Sequence, residues 1–243
     1  MDNLYYEIIT PIISFISLIG FVAIISFRII TKTKPKICEY ILLLIFTLGM
    51  YLYFPLTMYS RGYSKLDAQK LEQAVKFSIN PYEKRLCYMA IADVYRFKKD
   101  GEKIIEYKEK ALHGAYGKYP EETFILAFWY SIKGDYNKVM ELKDYVPNCR
   151  IPVRSAYIQN GEYEKALATF GEEEKSAGSY LLRAALYKEL GDTAQAEKYS
   201  QIADEQIKKN KFPRKNLDSY KTVEAFKNFI NEKRTEYGFP TNN

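Results

Sequence analysis

Two uncharged apolar runs near the start of the chain restrict its folding more than any other feature. The first, IITPIISFISLIGFVAIISF, covers Ile8 to Phe27, and the second, YILLLIFTLGMYLYFPLTMY, covers Tyr40 to Tyr59. A helix of twenty residues rises about 30 Å, the thickness of a bilayer's hydrocarbon layer. Runs this long without an ionised residue are rare in the cores of soluble domains, so the pattern predicts two transmembrane helices, spanning about 8–27 and 40–59. The connector between them, 28–37, is too short to fold by itself. The two spans then form a hairpin with both chain ends on one side of the membrane. The opening residues MDNLYYE contain no Lys or Arg, unlike the basic start of a signal peptide, so the first run reads as a retained anchor.

Orientation follows from the cations, because cytoplasmic loops beside membrane spans are enriched in Lys and Arg. Arg28, Lys32, Lys34 and Lys36 crowd the connector, while Arg61, Lys65 and Lys70 are spread more thinly after the second span. This predicts a cytoplasmic connector and places the rest of the chain on the periplasmic or extracellular side of a bacterial inner membrane. Tyr5, Tyr6, Tyr53 and Tyr59 fit an aromatic belt at that outer face. Along the first span Ser14, Ser17, Gly20, Ala23 and Ser26 form a ridge of small side chains that allows close helix approach in lipid. Packing on the second span and docking of a partner membrane protein or a second copy are both open uses of that ridge.

Composition changes after Ser60. Of the chain's 36 basic and 30 acidic residues, only four and three fall in the first sixty. A small positive excess spread through so charged a segment reads as a solvated surface, and no groove-reading motif accompanies it, so nucleic acid is not expected as a partner. The cluster Lys208, Lys209, Lys211, Arg214 and Lys215 reads as a solvated linker on the same ground. Cys38, Cys87 and Cys149 make no C-x-x-C pair or Cys/His cluster, which argues against a disulfide framework or a metal site.

The charged remainder repeats itself. Tyr95-x3-Lys99-Asp100, Tyr130-x3-Gly134-Asp135, Tyr157-x3-Gly161-Glu162 and Tyr187-x3-Gly191-Asp192 share one turn pattern. The tyrosine falls in the last turn of a helix, the Gly position supplies a left-handed cap, and the acid begins the next helix. Ala92, Ala127 and Ala184 stand three residues before their tyrosines, and Ile104, Val139, Ala166 and Ala196 stand five residues after the tips. Ala111, Val146 and Ala203 complete a frame of crossing helices. Arg154 and Glu173 break that frame in the third copy, which predicts a distorted third repeat.

These segments, above all GDYNKV, GEYEKALATF and GDTAQAEKY, resemble the tetratricopeptide family from about Leu86 to Ala203. Together with the transmembrane hairpin read from the apolar runs (1–60), the resemblance implies an all-α fold: a linking helix (61–84), a tetratricopeptide-like solenoid of helix pairs (85–207), and a basic linker with a capping helix (208–243). Phe226 and Ile230 are expected to cover the terminal repeat, since solenoid ends need caps.

No catalytic arrangement stands out. His113 is the single histidine, the glycines are scattered at repeat tips rather than gathered in a phosphate-binding loop, and no cofactor or metal is expected. In the register that the resemblance implies, Asp93, Arg96, Phe97, Phe128, Ile132, Gln159 and Lys188 face a protein-binding groove, with Ser131, Ser155, Ile158 and Glu189 beside them. Phe97, Phe128 and Arg96 are the expected anchors, although Phe128 also suits the core between repeats. Trp129 is assigned to packing. The expected function is a membrane-anchored scaffold or assembly factor that holds an unidentified protein or peptide. The layout also resembles the apocytochrome-binding subunit of bacterial cytochrome c maturation, through two spans, the phrase LGMYLYFP and outer repeats, although that family's connector is longer. An accessory subunit of a membrane enzyme or transport complex is the third alternative.

Overall fold

The computed structural model describes residues 10–31, 37–146, 149–210 and 214–240, and among these the regular structure is entirely helical. The chain divides into two compact units, Met1–Tyr95 and Arg96–Asn243.

In the first unit, α1 (Thr10–Thr31) packs against α2 (Ile37–Ser64), so helices form where the two apolar runs predict them. Part of the ridge of small side chains is consumed in that pairing. A Cβ at Gly20 would lie 2.2 Å from Phe46 Cζ, and one at Gly49 would lie 2.1 Å from Ser17 Oγ. Residues three apart on a helix drift about 60° per step, so the ridge turns away from α2 and leaves Ala23 and Ser26 exposed. Gly20→Leu is expected to force α1 off α2, read as a longer distance between nitroxide labels at Leu18 and Leu48. An unchanged distance would mean that the Phe46 ring simply swings aside.

The outer faces of the pair are apolar and uncovered. Ile16, Ile19, Val22 and Ile29 on α1, and Ile41, Leu44, Ile45 and Leu48 on α2, are each more than half exposed. Among the described residues, however, no helix is long and apolar enough to cross a membrane. The transmembrane nature of the two expected spans is therefore not shown by the helices themselves. Tyr5, Tyr6 and most of the basic connector lie outside the described residues, as do the side chains of Ser14 and Tyr53. The second helix runs a turn beyond the apolar stretch and folds back on α3 (Ala68–Phe77), where Gly62 admits the Leu71 side chain and Asp67 caps the new helix through the Gln69 and Lys70 N–H groups. Helix α4 (Pro81–Lys98) crosses the boundary between the units.

The second unit is built from successive helices: α5 (Gly101–Leu112), α6 (Pro120–Lys133), α7 (Tyr136–Leu142), α8 (Arg150–Gln159), α9 (Tyr163–Ala168), α10 (Ala177–Glu189), α11 (Thr193–Asn210) and α12 (Val223–Glu236). The four turns fall where the repeated tips predict them. Lys99, at φ 58°, takes the left-handed conformation that Gly134, Gly161 and Gly191 supply in the other three. Asp100, Asp135 and Asp192 accept hydrogen bonds from the N–H groups of Lys103, Lys138 and Gln195. Glu162 makes no such cap and instead accepts from Asn160 and Lys165. The tip tyrosines bind neighbouring helices: Tyr130 donates to Glu109, and Tyr187 stacks on Tyr199 at 5.6 Å. Ala127, Val139, Ala166 and Ala203 are completely buried, while Ala184 and Ala196 are only half-buried. His113 closes α5 in a left-handed conformation, and the thiols of Cys87 and Cys149 lie buried.

Arg154 explains the irregular third pair. Its α9 stops after six residues with no further helical turn, whereas a 3-10 turn over Lys143–Tyr145 prolongs the seven-residue α7, and this leaves space opposite α8. The Arg154 guanidinium fills that space, lying 3.5 Å over the Phe170 ring, with Nε donating to Thr169 Oγ1 at 2.9 Å and Nη2 to Glu174 Oε1 at 2.7 Å. The Thr169 carbonyl, left over at the end of α9, also accepts from Nη2 at 3.3 Å. Arg183 covers Phe170 as well, at 4.6 Å. Glu173, the other exception, pairs with Arg150.

Burial opposes the charge on Glu174, but donation from Arg154 and from the Gly171 N–H outweighs it and leaves the carboxyl below its ordinary range. A carboxylate whose folded pKa is depressed contributes stability above its unfolded value and loses it as pH falls through the folded one. Amide exchange across 169–176, relative to α5, is therefore expected to accelerate below about pH 4. Equal pH dependence in the two segments would remove Glu174 from this role.

Candidate protein-binding groove

The first helices of the later pairs, α6, α8 and α10, form a face that is not left open. After the 3-10 turn Arg214–Tyr220, which packs on α10, helix α12 crosses all three. Its buried stripe is Val223, Phe226, Ile230 and Arg234, the spacing of one face of an amphipathic helix. Thr222 starts the helix by accepting from the Ala225 N–H at 2.9 Å. Phe226 and Ile230 join Ile158, Ala166, Leu182 and Leu186 in one apolar cluster. Helix α12 thus covers the last pair's first helix, as expected for a cap, and then continues across the groove.

Arg234 is the polar centre of this docking. It is 3% exposed and has no carboxylate within its hydrogen bonds. Nε donates to the Ile132 carbonyl at 2.9 Å, Nη2 to Gln159 Oε1 at 2.5 Å, and Nη1 to Asn231 Oδ1 at 3.0 Å. The Ile132 carbonyl belongs to the last turn of α6, where carbonyls lack helical partners and carry the negative end of the helix dipole. Burial lowers the pKa of the guanidinium but leaves so strong a base charged.

Beyond Arg234 the chain reaches the first tip. Tyr237 packs edge-on against Trp129 at 4.7 Å, and its carbonyl accepts from the Gly101 N–H at 2.8 Å. Phe239 lies so close to Gly101 that a Cβ there would be 2.2 Å from its Cζ. Glu236 pairs with Lys233 and with Lys99, the latter at 2.9 Å, and these two cations hold its carboxyl at about 2.

The expected groove residues separate into three groups. Phe128, Ile132 and Gln159 come together around α12, with Ser155 beside them. Phe128, 39% exposed, and Ile132 line a cleft of about 630 Å³ beside α12, walled also by Ile151, Leu182, Phe229 and Tyr237. Gln159 lies under α12, donating to the Ser131 carbonyl at 2.8 Å and to Ser155 Oγ at 3.1 Å while accepting from Arg234. Arg96 and Phe97 are exposed and paired with each other, the guanidinium 5.6 Å from the ring, outside this cleft. Lys188 and Glu189 are exposed at the end of α10, and half-buried Asp93 belongs to the first unit. Ser131 and Ile158 are buried beneath α12, Ser131 beside Gln159 and Arg234 and Ile158 in the cluster that Phe226 and Ile230 join, and Trp129 is buried as packing requires.

Arg234 and Tyr237 were missed as groove residues, although a signal existed. Position 234 continues the apolar stripe of 223, 226 and 230, and an arginine on the buried face of an amphipathic helix calls for a specific acceptor. Among the described residues there is no group of three or more potential metal ligands. The arrangement offers shape, apolar surface and helix-end carbonyls, which are means of recognition. Comparison with known protein families, curated proteins and solved structures finds no match to this chain.

Proposed function

We propose that this chain is a membrane-anchored, tetratricopeptide-like scaffold whose second unit holds another protein on the outer face of a bacterial inner membrane. The observation that supports the anchor is the apolar exposure along the described side chains of α1 and α2. Eight aliphatic side chains more than half exposed on one helix pair far exceed the scattered exposure of an ordinary surface. Hydrocarbon accepts such a surface without penalty, and the basic connector orients it with the second unit outside the cytoplasm. The groove across α6, α8 and α10 supports the scaffold half of the reading, because stacked helix pairs bind partners on the face of their first helices.

The test is made in intact cells. The full-length chain should stay with the membrane through carbonate washing, and photo-crosslinkers at the cleft residues Phe128 and Ile151 should capture the same protein while one at exposed Lys198 does not. Release by carbonate overturns the anchor. Identical capture at all three positions, or none, overturns the scaffold.

A further inference from the structure

Helix α12 is seated on the face that the repeat pattern marks for a partner, and it uses two of the residues marked for that partner, Ile132 and Gln159. Its contacts form a recognition pattern. Three apolar side chains at 223, 226 and 230 fill the cluster around Leu182 and Leu186, and one guanidinium, a turn further on, takes the carbonyl at the end of α6 and the amide oxygen of Gln159. That pair of acceptors suits a planar, forked cation donor better than a lysine.

The seat is also incompletely filled. A polar cavity of about 190 Å³, lined by Ser131, Tyr136, Gln159, Asn160, Lys227 and Arg234, adjoins α12, and the apolar cleft of about 630 Å³ runs along it. Both open to solvent, so the seat has room beside α12 for a bulkier helix.

We infer that α12 is a resident ligand of the groove, and that the partner is an amphipathic helix carrying the same pattern of three apolar residues followed by an arginine, which enters by displacing α12. The inference rests on the scaffold reading and specifies the partner's chemistry. Because α12 is covalently attached, it competes at an effective concentration set by the segment joining it to α11. Only a helix that binds more tightly, or one presented at high local concentration on the membrane, opens the groove. The apolar cleft gives such a helix room for larger side chains than those of α12.

The experiment uses the full-length chain in mild detergent and a fluorescent peptide copying residues 222–240. Two chains loosen the resident helix: Arg234→Ala, which removes its polar lock, and a chain with a Gly-Ser insert of about fifteen residues after Asn210, which leaves every groove residue intact while diluting α12. Arg234→Ala should bind the peptide at least about tenfold more tightly than the wild type and the insert chain about threefold more tightly, and a peptide carrying Ala at the arginine position should lose about tenfold on either chain. Circular dichroism identifies a variant that has unfolded, in which case the insert decides the matter alone.

Equal peptide binding by wild type and loosened chains overturns the inference. So does failure of the folded insert chain to bind, or formation of dimers that the peptide cannot dissolve, since the groove would then serve a second copy. Because the peptide experiment needs no cellular partner, its failure is distinguishable from failure of the crosslinking that tests the scaffold.

Discussion

Arg234→Ala is expected to detach the second half of α12 and to destabilise the second unit by about 3 kcal/mol. The guanidinium makes three hydrogen bonds, two of them to acceptors on α6 and α8. Truncation leaves the Ile132 carbonyl and the Gln159 amide oxygen facing a hole. Hydrogen bonds to charged groups contribute about 1.5–3 kcal/mol each, and water entering from the polar cavity recovers part of that loss. Trp129 is the chain's single tryptophan and packs against Tyr237, so its emission reports docking directly. A red shift should accompany a lower urea midpoint. Arg234→Lys keeps the charge but lacks the fork, and should lie between the two. If emission and midpoint are both unchanged in the alanine variant, Arg234 does not hold the helix down.

Arg154→Ala should have an effect of similar or larger size for a different reason. Removing one member of a buried ion pair leaves an uncompensated charge, at a cost of about 3–5 kcal/mol. Here the side chain of Arg154 is 7% exposed and that of Glu174 is 20% exposed, so water shields the survivor only in part. The substitution also strips one face of Phe170 and the carbonyl at the end of α9. Arg154→Leu with Glu174→Gln should recover much of the stability by removing both charges while keeping volume. Urea unfolding of the single and double variants gives the comparison. A double variant no better than Arg154→Ala would place the cost in lost packing rather than in the stranded charge.

The sequence was most informative where a residue's role is local. Asp100, Asp135 and Asp192 announce helix starts because a short carboxylate reaches the N–H three residues on, whatever the rest of the chain does. The alanines at the crossing points were legible for a similar reason: only a small side chain fits where two helices nearly touch. Arg154 was visible as an exception, but its purpose was not, because the gap it fills exists only once α9 has stopped after six residues. The course of α12 was hidden by the same limit. An amphipathic stripe tells which side of a helix is buried, not what buries it. Phe226 and Ile230 are consistent with a simple end cap, and only Arg234, continuing that stripe, signals a more distant acceptor. The groove was half-legible: helical register placed Phe128, Ile132 and Gln159 on one face, but nothing local indicates that the chain's own last helix lies on it.

The contact between Phe239 and Gly101 has a consequence for how the second unit comes apart. A linear stack of helix pairs touches only its neighbours, so it frays from its ends and gains stability pair by pair. Here the far end of the chain is fastened to the first tip, and Arg234 bonds a residue 102 positions earlier. The row becomes a closed circuit. While α12 is docked, fraying at the first tip must also break the contacts of Tyr237 and Phe239 with Gly101, so the seated helix holds both ends of the unit together. Such distant pairings also raise contact order and slow folding, so the repeats can form first and the clasp can shut last.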